Sequence, residues 1–234
     1  MAKHSVKLVA KKGVARETVT FHFEKPVGYT YEPGQFIELT LAQLEGDEKE
    51  TKHFFTLSSA PYESFLGVTT RIRPTQLKQA LNMSKIGQEV IVTDAMGSFL
   101  LDETSTPCVF IAGGIGVTPF RSMILQQTHD ESQKELVLFY SNRTREDTAY
   151  YDEFEQAKKD NLHFKFIPIM TKLDHWTGEK KHISSEMLEK YLPDLNTPVF
   201  YSAGPPAMVK SIKELLLSLS IPQEHVKTEE FDGY

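Results

Sequence analysis

The stretch Cys108-Val109-Phe110-Ile111-Ala112-Gly113-Gly114-Ile115-Gly116-Val117-Thr118-Pro119-Phe120 decides how the rest of the chain is read. An unbroken apolar run meets two adjacent glycines, a third follows after one residue, and Thr-Pro then opens an amphipathic segment. Without alternation, such a run suits a strand buried on both faces of a parallel sheet. The glycines allow a sharp reversal and let a ligand approach the backbone closely. Thr118 and Pro119 read as the N-cap and first residue of a helix. A helix N-terminus facing such a turn offers unpaired N–H groups and a partial positive charge, which suits a phosphate. Taken alone, the same pattern also fits a tight strand-to-helix turn in any α/β protein, because a lone Gly-rich turn is weakly specific.

Downstream of this turn, strand and helix alternate. Phe120 to Gln127 reads as a helix, Glu135 to Ser141 as a strand, Tyr150 to Lys159 as a helix and His163 to Met170 as a strand. Ser184 to Tyr191 (helix), Pro198 to Ser202 (strand) and Ala207 to Leu219 (helix) follow. Four such alternations predict a parallel sheet covered on both faces. Right-handed crossovers gather the C-terminal ends of its strands at one edge, where ligands of such sheets bind.

Upstream the pattern differs. Ser5–Val9, Thr18–Phe23, Gln35–Leu41, His53–Leu57, Leu66–Arg73 and Glu89–Thr93 are short strands, with Lys11-Lys12-Gly13 and Pro33-Gly34 as turns. Even spacing of this kind predicts an antiparallel barrel or sandwich. One short helix, Gln76 to Asn82, has Thr75 as its cap, and the charged segment Gln43 to Lys52 reads as a solvated hairpin tip. The change of pattern near Ser105-Thr106-Pro107 divides the chain into residues 1–103 and 104–234.

Composition excludes several classes. With 234 residues, 40% hydrophobic and 25% charged, the chain is that of a globular protein of one large or two small domains. A formal net charge of -6 argues against nucleic acid as a ligand. No apolar run approaches the roughly 20 residues that span a bilayer. The start of the chain has no apolar core of a signal peptide, so a cytoplasmic location is expected. Cys108, the single cysteine, excludes an internal disulfide and an iron–sulfur cluster held by four cysteines of this chain. The histidines show no metal-ligand spacing, so no metal site is expected.

Five motifs in order and spacing then make a resemblance specific: Pro33-Gly34-Gln35-Phe36, His53-Phe54-Phe55-Thr56-Leu57-Ser58-Ser59, Gly97-Ser98-Phe99, the glycine stretch, and Ala203-Gly204-Pro205-Pro206-Ala207-Met208. Over essentially its whole length the chain resembles the ferredoxin–NADP reductase-like flavoenzymes. The resemblance implies an N-terminal antiparallel β-barrel that binds FAD and a C-terminal Rossmann-like α/β domain that binds NADPH or NADH. It implies Thr56 as the hydroxyl near flavin N5, Phe55 as the ring packed on the isoalloxazine, and His53 where relatives have an arginine on the pyrophosphate. Imidazole lacks the guanidinium fork and is only partly charged at neutral pH. A diphosphate beside it is expected to raise its pKa, and Arg71 or Arg73 is the other group placed to hold the pyrophosphate. Phe54, like Phe36, also fits plain barrel core.

By the same resemblance Thr70, Arg71 and Ile72 meet the flavin's pyrimidine edge, and Thr75 meets the pyrophosphate. Gly113, Gly114, Gly116 and Thr118 face the dinucleotide phosphates. Ser141, Arg143 and Arg145 lie where an adenosine ribose belongs; the arginines either grip a 2′-phosphate, which favours NADPH, or stack on adenine, or are solvated. Gly204, Pro205 and Met208 lie near the nicotinamide, with Ala203 where many relatives have Cys. Phe231 or Tyr234 is the aromatic that covers the flavin, unless the terminus is frayed. The implied activity passes hydride from NAD(P)H to FAD and electrons onward to a separate carrier, ferredoxin or flavodoxin, or to a small molecule. A flavin-binding sensor without turnover is the competing reading.

Overall fold

The computed structural model describes residues 1–41, 44 and 51–231. Most of the charged segment 43–52, and Tyr234, lie outside the described residues. The N-terminal strands are β1 (Lys3–Ala15), β2 (Thr18–Glu24), β3 (Phe36–Thr40), β4 (Lys52–Thr56), β5 (Phe65–Arg71) and β6 (Glu89–Thr93), with helix α1 (Gln76–Met83) between the last two. They form an antiparallel sheet in the order β4-β3-β6-β1-β2-β5. A bridge between Leu57 and Val68 joins its two edges, so the sheet closes on itself as the alternating strands predicted. Strand β3 shows why: Ile37 and Leu39 point into the core while their neighbours are half-buried.

Two details differ from the sequence reading. Lys11-Lys12-Gly13 is not a turn, because β1 continues to Ala15 through register irregularities at Leu8/Ala10 and Gly13/Ala15. Such bulges bend a strand, and here β1 passes from β6 to β2. The reversal falls at Arg16-Glu17, where Glu17 takes φ 52°. Thr75 does occupy the N-cap of α1, but its side chain makes no capping hydrogen bond.

The second sheet contains β7 (Cys108–Gly113), β8 (Leu136–Asn142), β9 (Phe164–Met170), β10 (Val199–Gly204) and β11 (Val226–Glu230). All pairs are parallel, in the order β11-β10-β7-β8-β9. Helices α2 (Thr118–His129), α3 (Tyr151–Asp160), α4 (Ser185–Tyr191) and α5 (Pro206–Ser218) complete this half. One core holds Phe110, Phe120, Tyr140, Phe154 and Tyr201; another, on the other face, holds Ile111, Phe139, Phe200, Leu188 and Ile212. Strand β7 is therefore fully buried, as its unbroken apolar run requires. Burial pushes the Cys108 thiol up to about 11, which leaves it an inert core group. Strand β11 was not read from the sequence. No helix among the described residues is long and apolar enough to cross a membrane.

The halves are joined by polar contacts that burial makes stringent. Arg121, buried on the first turn of α2, donates to the Ser58 carbonyl (2.6 Å) and pairs with Glu63 (2.9 Å) and Glu153 (2.8 Å). The Ser122 hydroxyl donates to the Ser59 carbonyl at 2.6 Å. Phe99 packs with the core around Phe110 rather than with the barrel.

Candidate functional site: two adjoining cavities

The C-terminal edge of the parallel sheet opens into a cavity of about 760 Å³, within the ordinary range for a cofactor or nucleotide site. Of the residues predicted to meet the nucleotide, Gly113, Gly114, Ser141, Arg143, Pro205 and Met208 line it. Arg71 and Arg73 come from the barrel side, and Asn142, Thr171, His182, Ser211 and the carboxylate of Asp147, which the sequence reading did not assign, complete the polar wall. Arg71 and Arg143 have no carboxylate at ion-pair distance among the described residues, whereas Arg73 pairs through Nη1 with Glu17 at 3.9 Å while its Nε is buried without a partner. An anion is the ligand such a wall suits.

Four predicted residues, Gly116, Thr118, Arg145 and Gly204, sit differently. Gly116 does not line the cavity: a Cβ there would lie 2.4 Å from the Ala203 carbonyl oxygen, so glycine is required for packing against β10. Thr118 is not the cap of α2 but its first residue, after a 3-10 turn over Gly114–Val117, and its hydroxyl donates to the Ile115 carbonyl at 3.1 Å. It faces the smaller cavity described next rather than the glycine side. Arg145 points away from both: it lies 4.1 Å over the Tyr151 ring and pairs with Asp152 at 2.5 Å.

The smaller cavity, about 50 Å³, is lined by His53, Phe54, Phe55, Thr56, Thr69, Thr70, Arg71 and Lys78 from the barrel and by Ile115, Thr118 and Phe231 from the α/β half. Strands β4 and β5 thus bring the predicted flavin residues together, and Arg71 belongs to both cavities. Phe54 is no core residue: its ring is 55% exposed and meets Phe36 edge-on at 5.6 Å. His53 lies edge-on to Phe55 at 5.1 Å. Desolvation on its inner side, then the Lys78 ammonium, hold its imidazole below the ordinary value, opposite to the direction expected beside a diphosphate. Lys78 is itself lowered, by burial and then by Arg73.

Ile72 and Thr75 are outside this cavity. Ile72 donates its N–H to Glu17 and packs on the barrel core, and Thr75 is exposed. Gly204 sits behind Phe231, whose N–H it accepts at 3.0 Å. The motif glycine Gly34 (φ 102°) lies under the Phe99 carbonyl, where a Cβ would come within 2.1 Å, so Pro33-Gly34 and Gly97-Ser98-Phe99 form one structural joint.

Sequence reasoning missed Glu229. It pairs in register with Ala203, as Lys227 does with Tyr201, and Lys227 Nζ donates to the Tyr201 hydroxyl at 3.2 Å. By strand alternation Glu229 shares that face, which also carries the packing of Phe231. Its Oε2 is buried without a hydrogen-bond partner, and burial pushes the carboxyl up to about 7. Two residues before an aromatic and beside the Ala203-Gly204 motif, it was legible only once β11 was known to pair with β10.

The donor set suits a flavin: hydroxyls at Thr56 and Thr70, a ring at Phe55, and cations at Arg71 and Lys78 for a diphosphate. Volume alone does not, since about 50 Å³ is far below a cofactor site; Phe231, held through its N–H on the Gly204 carbonyl, is a wall contributed from the α/β half beside Ile115 and Thr118.

Residues 110–214 match the family model described as the oxidoreductase NAD-binding domain. Over 156 residues the chain is 33% identical to a component of the Na(+)-translocating NADH-quinone reductase of Klebsiella pneumoniae, and 31% identical to its counterpart from Yersinia pestis. These alignments cover 64% of this chain but 38% of those relatives, so the chain spans well under half their length. Among solved structures, the FAD/NAD-binding domain of nitric oxide dioxygenase from Vibrio cholerae superposes with a TM-score of 0.87 at 17% identity, covering 97% of this chain and 98% of that one. A ferredoxin NADP+ reductase from Neisseria gonorrhoeae, with bound FAD and NADP, gives 0.82 at 20% identity, covering 98% and 99%.

Proposed function

We propose, for a chain that belongs over residues 110–214 to the oxidoreductase NAD-binding domain family and has the ferredoxin–NADP reductase-like fold throughout, that it is an FAD-dependent NAD(P)H oxidoreductase. The observation that carries this is that the two cavities adjoin and share Arg71, so that FAD in one and a nucleotide in the other would lie side by side. When bound, FAD supplies the acceptance of a hydride and the release of its electrons singly or in pairs.

The chain's own residues supply geometry and charge. Phe55 offers a ring face, Thr56 and Thr70 offer hydroxyls at the edge, and Phe231 covers the site until a nicotinamide arrives. His53, Lys78 and Arg71 hold the pyrophosphate. The wall formed by Gly113, Gly114, Pro205 and Met208 takes the dinucleotide, with Ser141 and Arg143 toward its ribose. Glu229 lies on the nicotinamide side. The division near residue 103 between an FAD-binding and a nucleotide-binding domain is part of the same reading. The acceptor is a separate electron carrier or a small molecule; the relatives named as NADH-quinone reductase components support electron transfer from a pyridine nucleotide.

The test is titration of the protein with FAD by fluorescence quenching, followed by NAD(P)H oxidation with ferricyanide as acceptor. A protein that binds no FAD sinks the reading, and one that binds FAD without turnover is a sensor. Nucleotide choice is tested in the same assay. Loss of one charge-assisted hydrogen bond is worth roughly 1.5–3 kcal/mol, so Arg143→Ala should raise KM for NADPH about ten- to a hundred-fold and KM for NADH little. Arg145→Ala should change neither. Equal effects of Arg143→Ala on both nucleotides would leave the 2′-phosphate without its partner.

A further inference from the structure

Tyr150 stands at the N-cap of α3 with φ 61°, in the left-handed region that bulky residues rarely adopt. Such a conformation persists where the surroundings over-determine it. Here they do. The ring lies 4.8 Å beneath the Arg121 guanidinium, and the side chain is buried. The hydroxyl crosses from the α/β half into the barrel, where it meets Thr20 Oγ1 at 2.7 Å and also Thr69 Oγ1. Thr20 and Thr69 are cross-strand partners on β2 and β5 and bond each other at 2.9 Å. Thr69 also meets Ser58 Oγ at 2.8 Å, and Ser58 donates to the Gly67 carbonyl at 3.1 Å. The chain of hydroxyls therefore ends on a backbone acceptor inside the barrel.

What this cluster touches gives it meaning. Thr69 is the residue before Thr70 and Arg71, and Ser58 lies two residues beyond Thr56. Both strands that wall the smaller cavity are thus tied, right behind it, to the half that carries the glycine turn. Arg121 grips the Ser58 carbonyl from the first turn of α2, directly after that turn. We propose that Tyr150 is a positioning residue: through Thr69 and Ser58 its hydroxyl fixes β4 and β5 against the Gly113–Val117 turn, and so sets the separation between the flavin and nucleotide sites. This rests on the flavin reading given above. No contact of Tyr150 with either ligand is needed, and its effect falls on the reactive distance rather than on affinity.

Tyr150→Phe keeps the ring, the backbone conformation and the stacking on Arg121, and removes only the hydroxyl. In the FAD-loaded protein we expect FAD content and KM for the nucleotide to stay within twofold. Flavin reduction at saturating nucleotide, followed by stopped-flow absorbance, should slow at least fivefold, and amide exchange over residues 65–71 should quicken. Ser58→Ala, at a residue that lines neither cavity, should reproduce both effects, with no further loss in the double variant; it carries the same test if Tyr150→Phe does not fold. A reduction rate within twofold of wild type overturns the proposal. So does a loss of rate that merely tracks loss of FAD or a rise in KM, since that is a structural role. If the wild type binds no FAD, the flavin reading fails on its own account, and unchanged exchange over 65–71 in the variants would still refute the brace.

Discussion

At the scale of single residues, the site is set by two groups that are out of their ordinary protonation range. Glu229 titrates near 4.5 in the unfolded chain and about 7 in the fold, because burial removes water from the carboxylate and no partner replaces it. As pH climbs, the unfolded chain releases this proton first. The group's contribution is therefore fully favourable below about 4.5 and is lost as pH rises to about 7, a decline on the order of 2–3 kcal/mol. Glu229→Gln should remove that slope, which urea denaturation at pH 5 and pH 8 measures; an unchanged slope would assign it to other groups. His53 is the opposite case. Its imidazole is held low by burial and Lys78, so it is largely neutral at pH 7, and a diphosphate beside it would favour the charged form. FAD binding at pH 7 is then expected to take up a proton, and His53→Gln to abolish the uptake. Calorimetric titration in two buffers of different ionisation enthalpy reads this directly. On this account His53 is less a weakened arginine than a group that charges on binding.

At the scale of elements, legibility followed periodicity. Strand β7 was readable because both its faces are buried, and β3 because Ile37 and Leu39 alternate with Glu38 and Thr40. Strand β11, Val-Lys-Thr-Glu-Glu, has neither signal: it is an edge strand, and charged edges are how sheets avoid pairing further. Its backbone bonds to β10, with Val226 on the core and Lys227 on Tyr201, hold it. Many residues of the two cavities were found because a family resemblance supplied them, whereas Lys78, Thr69, Glu229, Thr171, His182 and the contacts of Arg121 depend on long-range packing that no local pattern carries. Thr118 misled for a similar reason, since a 3-10 turn took the place of the expected cap. Because β11 delivers Phe231 to the smaller cavity, Phe231→Ala should leave the sheet intact, with a melting temperature within about 3 °C, the change expected of a loss below about 1 kcal/mol in a protein of this size. The same change should enlarge the site and alter both the flavin spectrum and KM for the nucleotide. An unchanged spectrum and KM would show that the ring does not cover the flavin.

At the scale of the whole molecule, the two sheets are held by a buried cation. Arg121 satisfies Glu63 from the barrel and Glu153 from α3 at once, and its side chain is 9% exposed. Removing one partner of such a group leaves uncompensated charge, at about 3–5 kcal/mol. Wild-type protein should therefore unfold in a single transition, while Arg121→Met should melt lower and in two steps, the barrel separating from the α/β half; differential scanning calorimetry distinguishes the two. A single transition at the wild-type temperature would mean that apolar packing, with Phe99 at its centre, joins the halves. Arg71 has a different consequence. As a wall of both cavities, it would, on the proposed function, make the two ligands thermodynamically dependent on one another. Whatever factor FAD imposes on nucleotide affinity by fixing or neutralising that guanidinium, the nucleotide must impose on FAD in return. Where FAD arranges the guanidinium to receive the second anion, the coupling is positive, and each turnover guards against loss of the cofactor. Where it consumes the charge, the coupling is negative, and a cell rich in pyridine nucleotide would strip the flavin from its own enzyme.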